Sequence, residues 1–370
     1  MKICLVTIKD NLNIGTFLQV YASCHTLETL GHDVEVVDYV RPRSRLTARI
    51  ADALKTSRRS LPLRLLLVPY LLFETKYASA ILNRFLRKYV KLTPRRFHSF
   101  DALQRNPPAA DIYVTGSDQV WNGIYNAGVD RTFYLDFAPA GATRIAYAAS
   151  FGLEELPEDQ LAATRRLIHK YNAISVREES ALKILEELGW SGAAHVLDPT
   201  LMLNRADWAK LASPRPRGER YLLIYSVEGA SKEPVLENAR LIARRLQLKI
   251  YQAAGGIRSR IKGCDKVFYF VSPGHFLSLL LNAEFVVASS FHGTAFSINL
   301  NKPFISVMPR RYTGRAASLL KILGLEDRLV VDSCDLHKVL APIDYERVNR
   351  QLDTERDKSR SFLVAALDKT

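Results

Sequence analysis

The chain has 370 residues, 48% of them hydrophobic and 24% charged, with a formal net charge of +14. This length and apolar fraction allow two ordinary domains with real cores and exclude a disordered or fibrous chain. Four widely spaced cysteines (Cys4, Cys24, Cys264, Cys334) without a CxxC or Cys/His cluster argue against a disulfide framework and a structural zinc site, with a reducing cytosol as the default; no run reaches the roughly 18–20 apolar residues of a spanning helix.

Residues 3–8 read as a short apolar strand rather than a signal peptide. The polar loop 10–15 follows, carrying Asn11, Asn13 and Gly15. Apolar spacing (Phe17, Val20, Tyr21, Cys24, Leu27) then predicts a helix over 16–30 that stops at Gly31. The loop is no GxGxxG, so it reads as a place for an anion or a hydroxyl at a helix start, not a dinucleotide site. A strand over 34–38 comes next. Residues 41–96 hold fifteen Lys/Arg against Asp52 and Glu74, and so carry +13 of the +14. Within this basic helical insertion lies a Pro-broken apolar run, 61–73. The segment is either a solvated hairpin packed on its own domain or an attachment to an anionic membrane surface, worth about 1 kcal/mol per nearby Lys/Arg. No RNP, helix-turn-helix or zinc-finger spacing accompanies the charge, which sets nucleic acid aside.

Strands over 112–115, 145–150 and 174–176 alternate with amphipathic helices, the pattern of a parallel sheet covered on both faces. After the first of them, Ser117, Asp118, Gln119 and Trp121 either grip sugar hydroxyls or form an N-cap and a buried anchor. Arg177 ends the third, as a fork for carboxylate or phosphate or as the partner of Glu178, Glu179 or Asp198. The N-terminal domain is expected over 1–205, followed by a Pro/Gly linker over 213–218. A second α/β domain over 219–343 follows, with strands 221–226, 249–253, 267–270, 284–288 and 304–308 and helices 233–246 and 319–323. Arg258, in the Gly255–Gly256 loop, and Arg310 and Arg315, before the last helix, either complete an anion pocket or are solvated. Residues 344–370 read as a helix packing back across both domains.

The most informative stretch is Ser289–Ser290–Phe291–His292–Gly293–Thr294, between an apolar strand and an apolar helix. Open α/β sheets bind ligands at such strand ends, helix N–H groups there favour anions, and an imidazole beside them suits acid/base work. The expected fold is two doubly wound, Rossmann-like domains facing a cleft.

The motifs NIGTFLQVYA, TGSDQVWN, YAASFG, SVREESALKIL, VLDPTLML and SSFHGTAFSINLNKPFI occur in this order. Together they resemble the polysaccharide pyruvyl transferase family, from Lys2 to about Leu325, with 41–96 the least matched part. The resemblance implies a GT-B-like fold and transfer of pyruvyl from phosphoenolpyruvate to sugar hydroxyls of a polysaccharide or lipid-linked glycan precursor, forming a ketal. It maps the family's His-Gly onto His292 and Gly293, and its strand-end Arg onto Arg177. Relatives carry an Arg two positions before the His; here Ser290 stands there, which shifts the hold on the donor to Arg258, Arg310 or Arg315. Ser290, Gly293 and Thr294 complete the expected donor side. His292 and Asp118 are the candidate catalytic pair, with the direction of proton transfer at His292 open. Asn11, Asn13, Gly15, Ser117, Gln119 and Trp121 are the candidate acceptor side. No metal and no cofactor besides the phosphoenolpyruvate donor is expected, and the place of work is the cytoplasm, at the inner face of the plasma membrane. The competing readings are a GT-B glycosyltransferase using a nucleotide sugar and a non-catalytic glycan- or membrane-binding relative.

Overall fold

The computed structural model describes residues 1–48, 50–51, 68–214, 218–227, 232–309 and 314–368. The first sheet contains β1 (Lys2–Val6), β2 (Asp33–Tyr39), β3 (Leu92–Phe97), β4 (Ile112–Thr115), β5 (Thr143–Ala149), β6 (Ala173–Val176) and β7 (Ala194–His195), in the order β3-β2-β1-β4-β5-β6-β7. The second contains β8 (Tyr221–Tyr225), β9 (Lys249–Ala254), β10 (Lys266–Tyr269), β11 (Phe285–Ala288), β12 (Phe304–Val307) and β13 (Leu329–Val330), in the order β10-β9-β8-β11-β12-β13. Every pairing is parallel, so the strands are linked by helical crossovers and the result is two Rossmann-like domains. The central strands are apolar from end to end because both faces are covered: Ile3 to Val6 and Phe285 to Ala288 are all at most 1% exposed.

Three strands escaped the apolar pattern. β7 and β13 are two residues long, and β3 carries Pro94, Arg95 and Arg96. An edge strand tolerates a missing N–H and outward charge, so neither feature prevents β3 from pairing with β2. The basic segment 41–96 is therefore not one insertion, since it contains a strand of the first sheet. Its residues 52–67, including most of the apolar run, lie outside the described residues. The helix Val68–Tyr89 turns Leu71, Ala78, Leu82, Phe85 and Leu86 inward, where Leu82, Phe85 and Leu86 share a core with the helix Ile14–Thr29. Phe73 and Tyr77 remain outside, stacked on each other at 5.5 Å. Among the described residues no helix is long and apolar enough to cross a membrane.

The two sheets share one apolar core rather than facing each other across an open gap. It runs from Ile3 and Leu5 to Leu223 and Val286. The helix Phe291–Asn299 is buried at every position. The rings of Tyr21, Trp208 and Phe296 pack in series, tilted at 5.9 Å and edge to face at 5.0 Å. Each such ring contributes about 1.5–3 kcal/mol of burial, so the seam is closed and the lobes part only at their strand ends. The helix Tyr345–Leu367 ties the seam from behind. Its Ser359 Oγ accepts from Leu197 N–H at 2.9 Å, and Arg356 donates to Leu201 O at 2.7 Å and to Asn299 Oδ1 at 2.8 Å.

Candidate active site

The strand order of each sheet reverses direction once, between β1 and β4 in the first and between β8 and β11 in the second. Helices leave opposite faces there, and a crevice opens beyond the carboxyl ends. The crevices face each other. Asn11 and Asn13 follow β1, Ser117 and Asp118 follow β4, Ser226 follows β8, and His292 follows β11. The helices Ile14–Thr29 and Phe291–Asn299 abut at their first turns. A Cβ on Gly15 would lie 2.5 Å from Cβ and Cγ of His292 and 2.7 Å from its Nδ1, so only glycine lets the imidazole sit there. Tyr225 Oη donates to Asn13 Oδ1 at 3.0 Å and closes the contact from the second lobe.

Beneath this contact lies a buried charged cluster. Arg177 Nη1 donates to Asp198 Oδ2 at 2.5 Å and to Ser117 Oγ at 3.2 Å, and Ser117 Oγ donates to the same Asp198 oxygen at 2.8 Å. Nη2 of Arg177 lies 3.5 Å from Asp118 Oδ1, and its guanidinium covers the Phe291 ring at 4.6 Å. His292 Nε2 stands 4.0 Å from Asp198 Oδ2. Asp118 is held by Thr16 Oγ1 at 2.7 Å, which itself receives Asn11 Nδ2 at 2.9 Å. Asp118 also has a φ of 76°, a left-handed backbone that a non-glycine residue adopts at a cost of about 1–3 kcal/mol and that concentrates at functional sites. The side chain of Arg177 is fully buried and that of His292 is 4% exposed. Even so, among the described residues His292 Nε2 and Arg177 Nε and Nη2 have no hydrogen-bond partner, the nearest carboxylates being Asp198 at 4.0 Å, Glu178 at 3.7 Å and Asp118 at 3.5 Å. Buried polar atoms are seldom left so, which marks a cluster completed by something else.

The charges set each other's state. Burial pushes the Asp198 carboxyl up, but the Arg177 guanidinium and the hydrogen bonds from Thr200 outweigh it and hold it at about 2. Asp118 is lowered against the same burial by Arg177, His292 and its hydrogen bonds. Burial lowers His292 below 6.5; Asp198 and Asp118 oppose this, and Arg177 and Arg315 add to it. The resting imidazole is therefore neutral at pH 7 and able to accept a proton.

Residues next to the cluster line two cavities, Asn11, Asn13 and Tyr225 the one and Gln119 the other, and Tyr125 lines both. One, of about 420 Å³, is walled by Asn11, Asn13, Tyr225, Ser226 and Arg258. The other, of about 590 Å³, is walled by Gln119, Asn122, Ser180, Arg43 and Arg315. Several candidate residues are placed otherwise than their motifs suggest. Trp121 is 1% exposed, stacked on Tyr134, with Nε1 donating to Phe133 O at 3.1 Å, so it anchors the core and offers nothing to a sugar. Ser117 belongs to the buried cluster. Ser290 caps its helix, accepting from Gly293 N–H at 3.1 Å, and its carbonyl accepts from Thr294 N–H at 3.1 Å. Those amides are therefore spent within the turn and not free for an anion. The Thr294 hydroxyl faces Ser306 Oγ at 2.7 Å, inside the domain. Arg177 directs Nη1 at Asp198, one of the structural pairings its sequence context allowed, while Nε and Nη2 stay without a hydrogen bond. Arg258 pairs with Glu74 at 2.7 Å across the lobes. Arg310 lies outside the described residues. Asp198 enters the site as the common partner of Arg177 and His292. Its Asp-Pro-Thr context signals a cap, and Oδ1 does accept from Thr200 N–H at 2.9 Å, but nothing local signals the second oxygen. Among the described residues no group of three or more His, Cys, Asp or Glu is placed to hold a metal.

A family model of polysaccharide pyruvyl transferases matches residues 13–310. The chain belongs to the polysaccharide pyruvyl transferase family. This is a family of transferases, and the match contains every residue of the cluster. No curated protein sequence matches the chain. Among solved structures, the Methanocaldococcus jannaschii UDP-GlcNAc 2-epimerase in complex with UDP-GlcNAc and UDP aligns over 100% of both chains at 13% identity and a TM-score of 0.50, a likeness of fold. The putative UDP-N-acetylglucosamine 2-epimerase from Listeria monocytogenes covers 97% of this chain and 90% of its own at 12% identity and a TM-score of 0.46. The SsfS6 glycosyltransferase of Streptomyces sp. SF2575 covers 99% of each chain at 15% identity and a TM-score of 0.42.

Proposed function

We propose that this family member transfers the pyruvyl group of phosphoenolpyruvate to sugar hydroxyls of a polysaccharide or lipid-linked glycan precursor and closes a ketal across two of them. The observation that carries the reading is His292: buried, its pKa lowered, with Nε2 lacking a hydrogen-bond partner among the described residues and standing 4.0 Å from Asp198. A proton from solvent adds to the methylene carbon of the donor and leaves an oxocarbenium-like centre at the neighbouring carbon. One hydroxyl attacks that centre and gives its proton to His292. Phosphate then leaves with the bridging C–O electron pair, and the second hydroxyl closes the ring and gives its proton to the departing phosphate. Asp118 and Asp198 stabilise the imidazolium that forms.

The cluster has more carboxylates than cations, so it is no place for the dianionic donor itself. The larger cavity suits it, with Arg43 and Arg315 opposed across the lobes and Gln119, Asn122 and Ser180 as further donors. The smaller cavity suits a sugar, with the amides of Asn11 and Asn13, the hydroxyl of Ser226 and the ring of Tyr125. Arg258, neutralised by Glu74, belongs to that sugar side in this reading. No cofactor beyond the donor is invoked. The basic segment 41–96 would bring the cleft to an anionic membrane surface, at the cytoplasmic face, where a lipid-linked acceptor would be presented.

The test is mass spectrometry of a candidate glycan incubated with the protein and either phosphoenolpyruvate or a panel of nucleotide sugars. Gain of one pyruvyl ketal, dependent on phosphoenolpyruvate, is the expected result. Gain of a sugar from a nucleotide donor would replace the reading with glycosyl transfer.

A further inference from the structure

A third cavity, of about 530 Å³, lies outside the catalytic cleft, between the helix Val68–Tyr89 and the carboxyl ends of β1 and β2. Its acids are already matched. Asp38 receives Lys9 and, at 2.8 Å, Arg96; Asp10 receives Arg41 at 2.6 Å. Lys76, Arg84 and Arg87, all exposed, line the helix side, and among the described residues none has an acidic partner. Their spacing of eight and then three residues keeps them on one face of the helix, so their mutual repulsion is uncompensated. Two guanidinium forks and an ammonium in a concave wall are the chemistry of phosphate recognition. The groove also adjoins the cleft: Asn11 lines both it and the smaller cavity, and reaches Asp118 through Thr16.

We propose that this groove is a subsite for a phosphate or diphosphate ester carried by the acceptor, which fixes how the attached sugar enters the smaller cavity. The proposal rests on the transfer reading for the word acceptor, and on the groove alone for the phosphate. A flat anionic leaflet meets these cations only at the rim, whereas an ester group reaches the recess beside Asn11.

The experiment is isothermal titration of the full chain with inorganic pyrophosphate and with geranyl diphosphate, alongside sedimentation with phosphatidylglycerol vesicles. Lys76→Gln/Arg84→Gln/Arg87→Gln is compared with a charge-matched control, Arg240→Gln/Arg244→Gln/Arg245→Gln, on the exposed face of the helix Lys232–Leu246. Removing two or three charge-assisted contacts should weaken geranyl diphosphate about tenfold or more, with the control within about twofold of the native chain. Pyrophosphate weakened in parallel identifies the phosphates as the recognised group. Arg84→Gln alone gives a smaller loss in the same direction and serves if the triple variant does not fold. Undiminished diphosphate binding overturns the proposal, including the case in which vesicle binding alone falls and the cations prove to be a membrane patch. Equal losses in both triple variants also overturn it, as an effect of bulk charge. Binding requires no turnover, so a chain that binds diphosphate through this groove but never transfers pyruvyl sinks the functional reading and leaves the groove standing.

Discussion

At the residue scale the site turns on one carboxylate oxygen shared by three groups. Asp198 Oδ2 receives Arg177 and Ser117 and stands 4.0 Å from His292 Nε2. Substituting His292 with Ala removes the proposed proton acceptor and should lower kcat about 10²–10⁴-fold in a chain that still folds, checked by steady-state rates and calorimetry. A rate near that of the native chain would take His292 out of the chemistry. The working form is neutral and its pKa lies below 6.5, so log kcat/KM should be flat through pH 7 and fall only as acid charges the ring. A limb already falling between pH 8 and 7 would assign the base elsewhere. Asp198→Asn strands a buried guanidinium and should cost about 3–5 kcal/mol in denaturant unfolding at neutral pH. The sign with pH is that of a depressed acid: its stabilisation is complete above the unfolded value near 3.8 and is lost as pH falls towards about 2. The native chain should lose this contribution across that window, and the Asn variant should have none there to lose.

At the scale of elements, the proposed chemistry depends on two helix starts held in contact. Gly15 is where the first-lobe helix meets His292 of the second, and no flexible side chain stands between them. Gly15→Ala should cost about 1–3 kcal/mol through overpacking, and should lower kcat further than that loss of stability explains, because the displaced group is the imidazole itself. An alanine variant with native kcat would show that the lobes accommodate the methyl without moving His292. The helix Val68–Tyr89 matters in the same way. Glu74, 3% exposed, accepts from Arg258 N–H and Nε, so this helix braces the Gly255–Gly256 loop of the other lobe as well as its own. Deleting it would remove Leu82, Phe85 and Leu86 and uncover the side of the helix Ile14–Thr29 that they share a core with, so charge substitutions on its outer face are the cleaner probe of its partners.

At the scale of the whole molecule, two sheets present their switch points to each other, and the closed seam divides the opening into separate cavities. That division predicts separable binding defects. Arg315→Ala should raise KM for phosphoenolpyruvate about tenfold or more with little effect on the acceptor, and Arg258→Ala should do the reverse. Initial rates with each substrate varied in turn provide the check. Coincident effects of both substitutions on one substrate would merge the two cavities into one site.

Much of this was legible in the chain itself. Strands buried on both faces must be apolar throughout, so the central strands of both sheets stand out, and polar breaks at their ends mark Asp118, Arg177 and His292 before any coordinate is known. The ordered motifs carry the family for the same reason, since each is a local strand-end signature. The partnerships were not legible. That Asp198 joins Arg177 to His292, that Ser290 and Thr294 satisfy each other's turn, that Trp121 faces inward, and that β3 pairs at an edge despite Pro94 all depend on segments far apart in sequence. Local pattern records how much water a residue loses on folding; only the crossing of the chain decides which group replaces it.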